Sequence, residues 1–256
     1  MPELTFVGTG EAFDPSLPNT SLLYRGARTL LLDCGYRIPH AFWSLSEDPN
    51  LLDGVYVTHL HADHSFGLPA LFLWMREEGR TRPLRVFGGP GVARWLKKLL
   101  ELAYPGAYAE DRCFPIEPAE VLPDRPVEWD GLELGAARSD HPVHNSSVRI
   151  TEGALSLCFS GDGAPSEATR DLYRGASVLV HECYAADQPV RGHATVHEVL
   201  KLADECEVGT LCLLHIGRRQ KARVAEIVAA HPGRARVLIP APGDRLPIAE
   251  RLEPAP

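Results

Sequence analysis

A chain of 256 residues with 45% hydrophobic and 23% charged side chains has the composition of a folded globular protein, which excludes intrinsic disorder and a membrane bundle. Its 26 basic and 34 acidic residues leave a formal charge of −8 with histidine neutral, and a net-acidic chain disfavours long nucleic acids, whose phosphates need surplus Lys and Arg. A chain of this size buries roughly three quarters of the surface its unfolded state exposes, and 1–256 reads as one domain.

Met1-Pro2-Glu3 leads straight into a strand-like Leu4–Val7 with no secretory h-region. Further strands are expected at Ser21–Tyr24 and Thr29–Leu32, separated by turns rich in Gly, Pro and Asn. Val55–Thr58 follows the Asp53-Gly54 turn as another buried strand. Phe66–Glu78 has helical spacing, with Phe66, Pro69, Ala70, Leu73 and Trp74 on one face. Val92–Leu102 repeats that pattern behind Gly88-Gly89-Pro90-Gly91, which reads as a plain turn rather than an anion cradle. Tyr104–Asp130, rich in proline and acids, reads as an irregular excursion.

Strands resume at Leu132–Ala136, Ser147–Ile150 and Leu155–Ser160, followed by a helix over Ala164–Arg174 and a buried strand at Ser177–Val180. Thr195-x-x-Glu198 is a capping box that opens a helix to Glu205. Leu211–Leu214 is a strand and Arg219–Ala230 a helix, and the Pro-rich stretch 241–256 reads as a loose tail. Strands in two batches, each followed by helices, predict an α/β chain with two sheets between helical layers. The six cysteines are scattered without a C-x-x-C pair, so reduced thiols and a cytoplasmic location are expected. No apolar run approaches the roughly 18 residues of a bilayer span, and no membrane partner is expected.

The sharpest signal is Thr58-His59-Leu60-His61-Ala62-Asp63-His64. At the end of an extended strand, His59 and His61 point the same way because side chains alternate with period two. A turn into a helix then lets Asp63 and His64 face a second nearby point. Imidazole and carboxylate are suitable ligands for zinc and similar divalent ions. The competing reading, a polar loop with Asp63 as a helix N-cap, leaves three histidines in a short run unexplained.

With this motif the chain resembles the metallo-β-lactamase superfamily, across most of its length. The resemblance implies the αββα sandwich with two mixed sheets. It also implies further ligands, each just past an apolar run: His141 in Ser139-Asp140-His141-Pro142, Asp162 in Ser160-Gly161-Asp162-Gly163, and His215 after Leu213-Leu214. Carried over, His59, His61 and His141 hold one metal, Asp63, His64 and His215 the other, and Asp162 joins them. Taken singly, His141 reads as a turn residue, Asp162 as a turn acid and His215 as a core histidine; their order behind the first motif favours ligands. Two divalent ions are implied, zinc first, with manganese or iron as alternatives. Such a pair lowers the pKa of a water to give hydroxide at neutral pH, which suits phosphodiesters, lactones, β-lactams and thioesters alike.

Within the superfamily, His61-Ala62-Asp63-His64-Ser65-Phe66-Gly67-Leu68-Pro69, Val180-His181-Glu182-Cys183 and Gly192-His193-Ala194-Thr195 are similar to motifs of the ribonuclease Z-type branch. His141 followed by Arg149-Ile150 resembles its His…Tyr-Arg segment, though Val148 replaces the tyrosine, and Gly163 stands where a threonine is usual. By resemblance, Glu182 orients or charges His193, which donates a proton to the leaving oxygen or stabilises phosphoryl charge. A histidine suits this because its pKa lies near working pH and a carboxylate partner raises it. Asp63 doubles as a proton acceptor. The structural alternatives are a solvated strand end for Glu182 and a residue preceding the Thr195 cap for His193. His144 is either a substrate contact or a surface turn residue, and Arg149 either faces a substrate phosphate or pairs with an acid.

The branch usually carries a Gly-, Pro- and Lys-rich arm that grips transfer RNA, inserted before the Ser-Gly-Asp motif. Here only Ser147–Phe159 fills that interval, room for one tight hairpin. The first-motif region also reads Asp33-Cys34-Gly35-Tyr36-Arg37 instead of Asp-Cys-Gly-Glu-Gly. An armless, acidic chain implies a metal-dependent phosphodiesterase on a small phosphodiester or cyclic phosphate, hence a small anionic substrate. The alternatives are a lactone, ester or thioester hydrolase on the same site and a transfer RNA 3′-processing endonuclease. Relatives of this branch often form dimers, so a homodimer is compatible with the resemblance.

Overall fold

The computed structural model describes residues 1–109 and 111–249. Two seven-stranded sheets face each other. The first runs in the order β14 (Arg245–Pro247), β1 (Glu3–Gly8), β2 (Ser21–Arg25), β3 (Thr29–Leu32), β4 (Gly54–Val57), β5 (Leu84–Gly88), β6 (Ile116–Glu120). The second runs β13 (Arg236–Leu238), β12 (Thr210–Leu214), β11 (Val178–Glu182), β10 (Leu155–Phe159), β9 (Ser146–Glu152), β8 (Leu132–Arg138), β7 (Val127–Trp129). Each sheet has an antiparallel half and a parallel half, so both are mixed.

Strand alternation explains the layering. Leu22 and Tyr24, Leu30 and Leu32, and Tyr56 enter the core between the sheets, where they meet Ile150, Phe159 and Val180. Their neighbours Leu23, Leu31, Val55 and Val57 point the other way, onto α1 (Ile38–Trp43), α3 (Leu68–Glu77) and α4 (Val92–Ala103). On the second sheet, Leu179, Leu211 and Leu213 pack outward against α5 (Glu167–Tyr173), α6 (Val196–Glu205) and α7 (Lys221–Ala230). A sheet buried on both faces needs strands apolar at every position, which is why these runs read as continuous Leu and Val. The architecture is the αββα sandwich of the metallo-β-lactamase fold. No helix among the described residues is long and apolar enough to cross a membrane, and the six cysteines are unpaired.

Most expected elements occur within a few residues of their sequence bounds, including the α6 capping box, where Thr195 and Glu198 cap each other's backbone. Three expectations need correction. Phe66–Glu78 forms the expected helix as α3, but its buried side chains are Leu68, Pro69, Leu71, Phe72 and Met75, and Phe66 is exposed rather than on the apolar face. A separate short helix, α2 (Ala62–Ser65), precedes α3, and Gly67 lies between them. A Cβ on Gly67 would lie 2.2 Å from the carbonyl oxygen of Gly35, and its N–H donates to Cys34 O at 2.9 Å, so tertiary contact sets the break. The 104–130 excursion contains β6 and β7; β6 is an edge strand, where Pro118 removes no needed ladder bond. The stretch after Pro240 is not loose as far as Ala249: β14 pairs antiparallel with β1, and Leu246 and Ile248 enter the inter-sheet core. Residues 250–256 of the expected tail lie outside the described residues.

Candidate metal centre

The strand ends deliver two groups of potential ligands. One ligand atom from each of His59, His61, His141 and Asp162 lies within 4.8 Å of the others, and the same holds for Asp63, His64, Asp162 and His215. His59 and His61 follow β4, Asp63 and His64 sit on α2, His141 precedes β9, Asp162 follows β10 and His215 follows β12. His215 and Asp33 both hold positive φ (53° and 60°), a conformation that non-glycine residues rarely adopt and that concentrates at functional sites. Gly161, at φ 61°, makes the close turn before Asp162, where a Cβ would lie 2.3 Å from Asn145 Oδ1.

Hydrogen bonds on the outer nitrogens fix which ring nitrogen of each histidine faces inward. His64 Nδ1 donates to Asp33 Oδ2 at 2.7 Å. His141 Nδ1 donates to the carbonyl of Gly192 at 2.8 Å. Thr58 donates its hydroxyl to Asp33 Oδ2 at 2.8 Å, so it accepts from His59 Nδ1 at 3.1 Å. Thr20 donates to Gly10 O at 3.1 Å, and accepts from His215 Nδ1 at 3.2 Å. Four Nε2 lone pairs therefore point into the cluster, an arrangement by which outer partners commonly orient metal-binding imidazoles.

The inward atoms crowd one another. His59 Nε2 and His141 Nε2 approach His61 Nδ1 at 3.1 and 3.3 Å, and Asp162 reaches His64 Nε2 at 3.3 Å and His215 Nε2 at 3.5 Å. His64 Nε2 and Asp162 Oδ1 are buried with no hydrogen-bond partner. Buried polar atoms are normally satisfied, and a mixed imidazole–carboxylate set fits divalent ions such as zinc. Burial holds His59 well below the usual imidazole range and lowers His61. Burial also opposes ionisation of Asp162, but His215 and His64 outweigh it and hold that carboxyl well below its usual value. Both directions favour the deprotonated forms that bind a cation.

Glu182 is 2% exposed and fully engaged. Its Oε1 accepts from the backbone of Gly163 (3.0 Å) and Ala194 (3.0 Å) and from His193 Nδ1 (3.1 Å), and Oε2 accepts from the backbone of Tyr184 (2.8 Å). It is therefore not a solvated strand end. His193 stacks between Tyr184 (ring centroids 4.8 Å apart) and His215 (6.0 Å), and meets His141 edge-on at 5.4 Å. Burial alone would lower the pKa of His193, but the Glu182 hydrogen bond and charge raise it.

Two residues that the sequence offered as substrate contacts lie apart from the cluster. Arg149 points away from it: its neighbours Val148 and Ile150 enter the inter-sheet core, and its guanidinium donates to the carbonyls of Leu172 (2.9 Å) and Arg174 (3.0 Å) and to Ser156 Oγ. It ties down the end of α5 and does not face a substrate. His144 belongs to neither ligand group; its Nε2 contacts Ser146 Oγ at 2.9 Å, and it lines a small hollow beside His59. Sequence reasoning missed Asp33, Thr20, Thr58 and the Gly192 carbonyl as orienting partners. Only the Asp33-Cys34-Gly35 run carried a signal for any of them.

The chain is similar to several known proteins. The chain is 28% identical to a ribonuclease Z of Exiguobacterium sp. over 278 residues, covering 88% of this chain and 92% of that protein. The metallo-β-lactamase fold protein YhfI from Bacillus subtilis superposes with a TM-score of 0.82 at 19% identity, over 96% of this chain and 100% of that one. The short form of human tRNase Z gives 0.77 at 20% identity, over 96% and 99%. The chain is thus a metallo-hydrolase-fold protein of the ribonuclease Z-like branch. A sequence model described as Anti-Pycsar protein Apyc1 matches residues 2–228, and the chain belongs to that family.

Proposed function

We propose that the chain is a metal-dependent phosphodiesterase acting on a small phosphodiester or cyclic phosphate. Two divalent ions, zinc first, would be held by His59, His61, His141 and Asp162 and by Asp63, His64, Asp162 and His215. When bound, such a pair supplies Lewis acidity at the attacked phosphoryl group and lowers the pKa of a water nucleophile.

The observation that carries the reading is the Glu182–His193 pair beside that cluster. With Nδ1 committed to Glu182, the protonated imidazole has its Nε2 proton available for the leaving oxygen of a phosphodiester. The buried carboxylate stabilises that charged form and fixes the ring. Asp63, whose carboxyl is held below its usual value because His64 outweighs its burial, is the candidate proton acceptor. A small substrate is supported by β9 and β10: Glu152 pairs with Leu155, so only Gly153 and Ala154 connect them, and no RNA-gripping arm occupies this turn.

Zinc-loaded protein should hydrolyse bis-p-nitrophenyl phosphate, and His193→Ala should lower kcat by about 10²–10⁴-fold, the range of a lost general acid. Turnover of lactones or thioesters unaffected by His193→Ala, with no phosphodiester cleavage, would replace this reading by the carbon-ester alternative.

A further inference from the structure

The connection between β1 and β2, residues 9–20, is a strap that grips His215 twice. The Thr9 carbonyl accepts from the backbone N–H of His215 at 3.1 Å, and Thr20 Oγ1 accepts from its Nδ1 at 3.2 Å. Gly10 forms a parallel bridge with Ile216, and a Cβ on it would stand 2.9 Å from both Pro18 O and Leu17 Cβ. Glu11 then pairs with Arg218, and Asp14 with Lys221 at the start of α7. Thr9, Gly10 and Glu11 thus meet His215, Ile216 and Arg218 in order, and the two ion pairs latch the strap to the chain beyond the ligand.

The acids of this latch are buried while their cations are not: the side chains of Glu11 and Asp14 are 1% and 0% exposed, those of Arg218 and Lys221 40% and 39%. The other oxygen of each carboxylate holds the strap's own backbone. Glu11 Oε2 accepts from the N–H of Phe13 at 2.7 Å, and Asp14 Oδ1 from those of Ser16 (2.9 Å) and Leu17 (3.0 Å). Burying two carboxylates is a poor way merely to stabilise a loop, since apolar side chains of similar volume often serve stability as well. What the latch supplies is position. His215 holds φ 53°, a state that persists in a non-glycine residue only where its surroundings over-determine it. We propose that Glu11 and Asp14 are positioning residues for the candidate ligand His215. Their ion pairs fix the strap that sets the backbone and ring of that histidine, and thereby the affinity for the cation held by Asp63, His64, Asp162 and His215. The inference rests on the metal-centre reading and is independent of the substrate.

Zinc is the probe. Metal-free protein titrated with zinc against a chromophoric chelator should show two binding steps. Glu11→Gln and Asp14→Asn, uncharged and nearly isosteric, should each weaken one step about 10–100-fold, the range for residues that orient a metal ligand, and leave the other unchanged. His215→Ala identifies the affected step. In that background Glu11→Gln should have no further effect on zinc affinity, because residues acting through one another are not additive. A loop that only stabilised the fold would weaken both steps alike and keep its effect without His215. Arg218→Ala, at a part-exposed side chain, breaks the same pair from its solvent side and serves if Glu11→Gln does not fold. Two steps untouched by these substitutions, both weakened equally, or a Glu11→Gln effect that survives in the His215→Ala background overturns the assignment while the metal-centre reading stands. Wild-type protein that binds no zinc overturns the metal-centre reading, and the inference with it.

Discussion

Glu182 and His193 show how one buried acid sets the chemistry of one histidine. The acid collects three backbone N–H groups and Nδ1 of His193, so the ring cannot rotate without breaking a buried charge-assisted bond. Because Glu182 raises the pKa of His193, the acid form persists to higher pH, and kcat/KM for a phosphodiester should fall as pH rises through that raised value. Glu182→Gln removes the charge, so the basic limb of the pH profile should move to lower pH by about one unit; a limb that stays in place would mean His193 is not the titrating acid. The candidate ligands were legible because His59-x-His61-x-Asp63-His64 concentrates potential donors in six positions. Their orienters were not, since Thr20, Asp33 and Gly192 reach the cluster only through the fold.

At the scale of elements, the same contrast appears in α2 and α3. The apolar spacing from Phe66 onward predicted the helix that α3 forms, but not which face it buries, Leu68, Leu71, Phe72 and Met75. The break between α2 and α3 comes from Gly67, whose Cα lies against the backbone of Gly35, a contact between residues far apart in the chain. Gly67→Ala forces a methyl into that carbonyl and should destabilise the protein by roughly 2–3 kcal/mol, read as a lowered midpoint in denaturant unfolding with an unchanged slope. Since α2 carries Asp63 and His64, the same variant should also weaken zinc retention against a chelator. The edge strand β6 escaped notice for a related reason: Glu117, Pro118 and Glu120 within it argue against a central strand, and only its place at the sheet edge makes them tolerable.

Across the whole molecule, the layering was legible from two batches of apolar strands, but the closure of the first sheet was not. β14 is three residues long, yet it covers the edge of β1 and seats Leu246 and Ile248 between the sheets. Deleting everything after Pro240 should cost about 3–5 kcal/mol from those two side chains and leave the β1 edge open to pairing with other chains. Size-exclusion chromatography of the shortened protein should show aggregates where the full chain elutes as a defined species. The β9–β10 hairpin has the opposite character. Its two-residue turn lies at the ends of those strands remote from His141 and Asp162, and lengthening a surface loop costs only about 0.6 kcal/mol per doubling. Evolution or an engineer could graft a nucleic-acid-gripping extension there, recruiting larger substrates to the same candidate site without disturbing it.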